Sequence, residues 1–306
     1  MTVETHVVTL PSGEQLAYRE RMGETDPVVF IHTNCSSSIH WELVFDELDP
    51  RYHLIAVDLR GCGGSSYLEP VDSIADFAND VAAFLAALDV GPVHVVGWSS
   101  GAAIGLQVEL KAPSLVRSHT LISPVSTRGY PILKKDDAGN VISQQPLATR
   151  GELAADALQI APVLEAIETN DAEFLTAYLQ TLVFNEQLPD ALNLADHVAE
   201  MLTQEGFLDF VYATAHFNIS SVDNGVEQGT GEGMHLRAPM LVLYGTEDSV
   251  ILRQMIDHTL SDVGSDAALV VLEGVGHAPA IEAPARVATE LEAFFGKFDA
   301  VSNSVS

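Results

Sequence analysis

Basic residues are scarce in this chain. Of its 306 residues only Lys111, Lys134, Lys135 and Lys297 are lysine, and 14 Lys+Arg face 43 Asp+Glu, a net charge of -29. Such a field repels nucleic acid and anionic membranes, so neither is expected as a partner. Cysteine is nearly missing: Cys35 and Cys62 are too few for a disulfide framework. Neither has a Cys or His neighbour at metal-binding spacing, so no metal is implied. No apolar run reaches the ~18–20 residues of a membrane helix. The first residues, Met1 to His6, lack the basic and apolar regions of a signal peptide, which points to a cytoplasmic protein. Repeats and low-complexity stretches are absent. With 47% hydrophobic residues the chain can bury one large α/β core, with or without an insertion.

What is present is an alternation of short apolar runs with amphipathic ones. A hairpin is expected from His6–Leu10 and Gln15–Arg19 around Pro11-Ser12-Gly13. Pro27–His32, His53–Val57, Val93–Trp98, Thr120–Ile122, Pro239–Gly245 and Ala268–Leu272 read as strands buried on both faces. Residues 73–89 carry Ile74, Phe77, Val81, Phe84, Leu85 and Leu88 on one helical face. This pattern implies a mostly parallel sheet covered on both sides. It breaks between about residues 127 and 236, where helices are expected near 151–169, 171–184, 189–204 and 207–217, with a polar turn at Lys134–Asn140. The organisation expected is a core of residues 1–126 and 237–298 with a helical cap at 127–236. A final helix is expected near 283–296, then a disordered tail at 299–306.

Around Gly97-Trp98-Ser99-Ser100-Gly101 an apolar strand run passes at once into a small-residue helical run. A serine at the apex of so sharp a turn needs small neighbours, because strand and helix must approach closely. Its hydroxyl then stands clear of the sheet, at a helix N-terminus that favours developing negative charge. A serine hydroxyl attacks only when a base takes its proton and a third group orients that base. Gly245-Thr246-Glu247-Asp248 and Gly276-His277 each follow a strand and supply the acid and the histidine. Asp248 is the favoured acid, Glu247 the fallback, and Asp257 reads as a surface carboxylate. His277 sits in a glycine-rich loop where packing gives no reason for it. The oxyanion donors expected are the backbone N–H groups of Ser100 and Asn34, although Asn34 also fits a plain Asx turn. Trp98 and His216 are candidates to line the substrate site. Arg60, within Asp58–Ser65, reads as a loop anchor. Of the apolar residues at 174–217, namely Phe174, Tyr178, Leu182, Phe184, Phe207, Phe210, Tyr212 and Phe217, most are expected in the insertion's own core.

Taken in order, the strand-His32 loop, Asp58-Leu59-Arg60-Gly61-x-Gly63-x-Ser65, Gly97-x-Ser99-x-Gly101, Gly245-x-x-Asp248 and Gly276-His277 resemble the α/β-hydrolase superfamily over about residues 10–296. The resemblance implies an eight-stranded, mostly parallel sheet with the cap between strands 6 and 7. Two positions depart from the pattern: His32-Thr33 stands where His-Gly is usual, and Gly101-Ala102 where Gly-Gly is common. The expected activity is hydrolysis of small carboxylic esters or lactones by Ser99, His277 and Asp248, with no cofactor. Gly97-Trp98-Ser99-Ser100-Gly101 also resembles the motif of intracellular polyhydroxybutyrate depolymerases. The same triad serves carbon–carbon-bond hydrolases, peptidases and cofactor-free peroxidases, and low-turnover ligand receptors use the same fold. Dehalogenases of this fold carry Asp as nucleophile, which Ser99 argues against.

Overall fold

The apolar runs become strands for the reason their composition gives: each is shielded on both sides. A computed structural model of the chain describes residues 2–136, 138–185 and 191–302. Strands β1 (Glu4–Thr9) and β2 (Gln15–Arg21) form the expected hairpin. β3 (Val28–Ile31) and β4 (Leu54–Val57) are buried at every residue, and the short helix α1 (Glu42–Glu47) lies between them. Next come α2 (Ile74–Leu88), β5 (Val93–Trp98), α3 (Ser100–Lys111) and β6 (Val116–Ile122). In α2 the buried face is Ile74, Phe77, Ala78, Val81, Phe84 and Leu85, and Ser73 with Asp76 closes a capping box at its start.

The segment between β6 and the next strand of the main sheet is not wholly helical. β7 (Leu133–Lys135) and β8 (Val141–Pro146) form a small antiparallel hairpin where only a polar turn was expected. Its turn is closed by the Asp136 carboxylate, which accepts the N–H groups of Ala138 (3.0 Å) and Asn140 (2.8 Å). Asp137 of that turn lies outside the described residues. The helix expected at 151–169 is two, α4 (Arg150–Ala154) and α5 (Ala161–Thr169). They separate where the Asp156 carboxylate accepts from Gln159 N–H at 2.6 Å. α6 (Ala172–Tyr178) runs into a π-helical turn at Leu179–Val183, and α7 (Ala191–Leu202) and α8 (Phe207–His216) complete the segment.

β9 (Met240–Gly245), α9 (Arg253–Asp262), β10 (Ala267–Leu272), α10 (Pro279–Glu282) and α11 (Pro284–Ser302) finish the chain. α11 continues through residues expected to fray; 303–306 lie outside the described residues. The main sheet has eight strands in the order β1-β2-β4-β3-β5-β6-β9-β10. β1, β2 and β4 pair antiparallel and every other neighbouring pair is parallel. Each face packs one apolar core. Phe30, Trp41, Phe45 and Phe295 lie in one, and Ile31, Phe77, Phe84 and Val242 in the other. Parallel strands deliver their C-terminal ends to one edge, and residues 99, 248 and 277 follow β5, β9 and β10 there. No helix among the described residues is long and apolar enough to cross a membrane.

Candidate active site

Ser99 occupies the turn between β5 and α3 with φ 53° and ψ −116°, a conformation that L-residues rarely adopt. Two glycines make the turn possible. A Cβ on Gly97 would stand 2.5 Å from the Ala102 Cα, and one on Gly101 would stand 2.2 Å from the Ile31 carbonyl oxygen. Ala102, where a second glycine is common, is fully buried in the core beside the turn.

The histidine loop is held from several sides. His277 Nδ1 lies 3.0 Å from Asp248 Oδ2. The other carboxylate oxygen, Oδ1, accepts the N–H groups of Val250 (2.9 Å) and Ile251 (2.8 Å). A carboxylate only accepts, so the Nδ1 proton belongs to this bond and Nε2 is left free to take one. Of the three carboxylates considered, Asp248 alone is bonded to His277; Glu247 is exposed, and Asp257 pairs with Arg253 on the surface. The His277 N–H donates to Val183 O at 3.1 Å. Its carbonyl accepts the indole N–H of Trp98 at 2.7 Å. Glu282 Oε1 and Oε2 accept from Ala278 N–H (3.1 Å) and Gly276 N–H (3.0 Å), on either side of His277.

Ser99 and His277 line one cavity of about 220 Å³, together with Thr33, Asn34, Ser100 and Trp98. The loop after β3 is organised by two side chains. His32 Nε2 accepts from Leu59 N–H at 2.9 Å, so its Nδ1 carries the proton and donates to Thr33 O at 2.7 Å. Burial holds the His32 pKa below its ordinary value, which keeps this neutral form. From beyond α7, Gln204 Nε2 donates to Asn34 Oδ1 at 2.5 Å and Gln204 Oε1 accepts from Cys35 N–H at 2.7 Å. Cys35 has φ 54°, and burial pushes its thiol up to about 12. Ser100 N–H donates weakly to Thr33 Oγ1 at 3.3 Å, so the residue replacing the usual glycine touches an expected oxyanion donor.

His216 does not reach this cavity. Its ring is spent elsewhere: Nδ1 lies 2.8 Å from Glu227 Oε1, Nε2 lies 2.8 Å from Ala148 O, and the ring stacks on Tyr212. Tyr178, Leu182 and Phe207 line the cavity, whereas Phe184, Phe210 and Phe217 are buried core and Phe174 is exposed. Arg60 anchors a loop as expected, in a two-bond pair with Asp80 (2.7 Å each) and a bond to Glu69 O. Asp58 binds the N–H groups of Ser38 and Gly64. Gln204, Glu282 and Thr33 were not foreseen: their partners are distant in sequence, and only the His32-Thr33 departure gave any signal. Among the described residues no cluster of His, Cys, Asp and Glu is arranged to hold a metal ion.

The chain is similar to several known proteins. It is 26% identical over 272 residues to the uncharacterized protein Rv2715 of Mycobacterium tuberculosis, covering 89% of this chain and 76% of that one. The solved structure of the esterase EaEST from Exiguobacterium antarcticum superposes with a TM-score of 0.71 at 18% identity, covering 94% of this chain and 98% of that one. Est816, described as an N-acyl homoserine lactone degrading enzyme, gives a TM-score of 0.66 at 24% identity, covering 94% and 99%. At these identities the structures speak for the fold. A family model described as the alpha/beta hydrolase fold matches residues 26–284, and on that match, with the sheet and turn just described, the chain belongs to the α/β-hydrolase family.

Proposed function

We propose that the protein is a serine hydrolase of carboxylic esters or lactones. The observation that carries the reading is the 3.0 Å bond from His277 Nδ1 to Asp248, with His277 and the strained Ser99 lining one cavity. In the proposed reaction His277 Nε2 takes the Ser99 proton as Oγ attacks the carbonyl carbon. The N–H groups of Ser100 and Asn34 hold the oxyanion. The imidazolium, steadied by Asp248, then protonates the departing alcohol oxygen, leaving an acyl-enzyme. Water, deprotonated by the same His277, releases the acid and restores Ser99. The esterase and lactonase names of the structural neighbours support the bond type, and the segment 127–236 serves in this reading as a cap over the cavity. Free Cys35 and Cys62 support a reducing, cytoplasmic setting.

Initial rates on p-nitrophenyl esters of increasing acyl length and on a small set of lactones test this in wild type and Ser99→Ala. Turnover should fall by about 10⁴-fold or more in Ser99→Ala, and by about 10⁴-fold in Asp248→Asn. A folded wild-type protein without Ser99-dependent turnover on any ester or lactone sinks the proposal.

A further inference from the structure

The cavity is uncharged in a strongly charged chain. None of the described residues that line it is Asp, Glu, Lys or Arg, although the chain carries 43 acids and 14 basic residues. A charged group bound there would be desolvated with no ion to pair it. The polar groups that line the cavity are also mostly committed. Tyr130 Oη donates to Val250 O, Thr214 Oγ1 donates to Phe210 O, and Ser249 Oγ donates to Leu182 O.

Tyr178 is one exception; the Asn34 and Gln159 amides are bonded, among the described residues, through their oxygens alone. Tyr178 ends α6, at the junction with the π-helical turn, and among the described residues its phenol has no hydrogen-bond partner. Burial, with the Cys35 thiol and the Tyr130 phenol nearby, pushes its pKa above the ordinary tyrosine range. The group therefore stays protonated, a donor in the same cavity that Asn34 and Cys35 line. The phenol oxygen is not sealed from water, so in the free protein water can satisfy it, and a ligand that brings an acceptor replaces that water with a direct bond.

We propose that Tyr178 is a specificity-determining residue: its phenol donates a hydrogen bond to an oxygen acceptor on an uncharged substrate other than the carbonyl under attack. This rests on the hydrolase reading for its substrate class, and it excludes acids, amines and purely hydrocarbon acyl chains as the preferred substrates. Apolar walls at Ile132, Ile160, Phe207 and Val211 would enclose the rest of such a molecule.

The test uses matched esters in which one CH2 of a pentanoyl or hexanoyl chain is replaced by an ether oxygen at each position in turn, with Tyr178→Phe as the variant. Rates are measured on the p-nitrophenyl esters. Binding of the corresponding methyl esters is measured by calorimetry in Ser99→Ala, with and without Tyr178→Phe. At one oxygen position or more, the preference for the ether over its hydrocarbon isostere should fall by about three- to tenfold in Tyr178→Phe, in kcat/KM and in Kd alike. A purely structural role would slow both members of a pair equally and leave the preference within about twofold, and that result overturns the proposal. So does an absence of measurable binding throughout the series. Monomethyl glutarate binding as tightly as the neutral esters overturns the uncharged part. Absence of turnover alone counts against the hydrolase reading, because the binding preferences still decide the role of Tyr178.

Discussion

The residue before the candidate nucleophile also holds the candidate base: the Trp98 indole N–H donates to the His277 carbonyl across 2.7 Å. Both groups are buried. Ser99 and His277 are thus tied together through the backbone of one and the loop of the other, before any contact between their side chains. Trp98→Phe keeps most of the ring but leaves that carbonyl without its donor. The expected cost is about 1–3 kcal/mol of stability, read as a lower urea midpoint. The turnover number should fall more than KM changes. Unchanged kcat and midpoint together would refute the tie.

Gln204 makes a comparable tie at the Asn34–Cys35 loop, whose residues line the cavity. It holds Asn34 by the side chain and Cys35 by the backbone, and Asn34 is the expected second oxyanion donor. Gln204→Ala should lower kcat by up to about 10²-fold with KM little changed, the partial loss of one donor. Gln204→Glu can still accept from Cys35 N–H but sets a carboxylate against the Asn34 oxygen, so it should be at least as damaging. Full activity in both variants would remove Asn34 from the oxyanion hole.

Arg60 and Asp80 form a buried two-bond pair, with Glu14 at 3.7 Å from the same guanidinium. Arg60→Met leaves two acids buried without their cation. Breaking such a pair from one side typically costs about 3–5 kcal/mol, and chemical unfolding should show a loss of that order. Substituting both Arg60 and Asp80 by apolar residues should cost less than Arg60→Met alone. Equal stability of wild type and Arg60→Met would show the pair to be dispensable.

Four buried histidines, His32, His40, His94 and His197, set a pH dependence of stability. Burial lowers the pKa of His94 and His197 to about 4 each, and that of His40 well below its ordinary value. Arg117 adds to the shift at His94, Asp196 opposes it at His197, and His197 and His32 add to it at His40. Unfolded, each titrates near 6.5. Above about pH 6.5 both states are neutral and this stability is fully present. As pH falls from about 6.5 towards 4, the unfolded chain gains protons that the fold refuses, and stability declines. Urea midpoints should therefore drop steadily between about pH 7 and pH 4.5, and His94→Phe should flatten the slope. A flat profile in wild type would contradict the burial of neutral imidazoles.

Much of this molecule could be read before folding it. β3, β5 and β9 are continuous apolar runs that only a doubly covered sheet explains, and Gly97 and Gly101 mark the close approach of strand and helix. Asp248 and His277 are legible because each sits just beyond a strand end. The β7–β8 hairpin is not legible: Lys134, Lys135, Asp136 and Asn140 are half-buried or exposed and show no alternation, and a side-chain-closed turn leaves no apolar trace. His216 misleads because a histidine at a helix end serves as well for hydrogen bonds to Glu227 and Ala148 as for a substrate. Gln204 was invisible, since 169 residues separate it from the Cys35 backbone it holds.

An uncharged cavity inside a chain of net charge -29 gives the proposed reaction a direction. The neutral ester enters without electrostatic penalty. In that reaction each turnover would convert it into a carboxylate in a chamber where, among the described residues, no Lys or Arg lines the walls to retain it. The surrounding field pushes that anion outward, most strongly at low ionic strength. In the proposed reaction, release of the acid would thus be driven by the charge the reaction itself creates, and accumulated product would compete poorly for the vacated site.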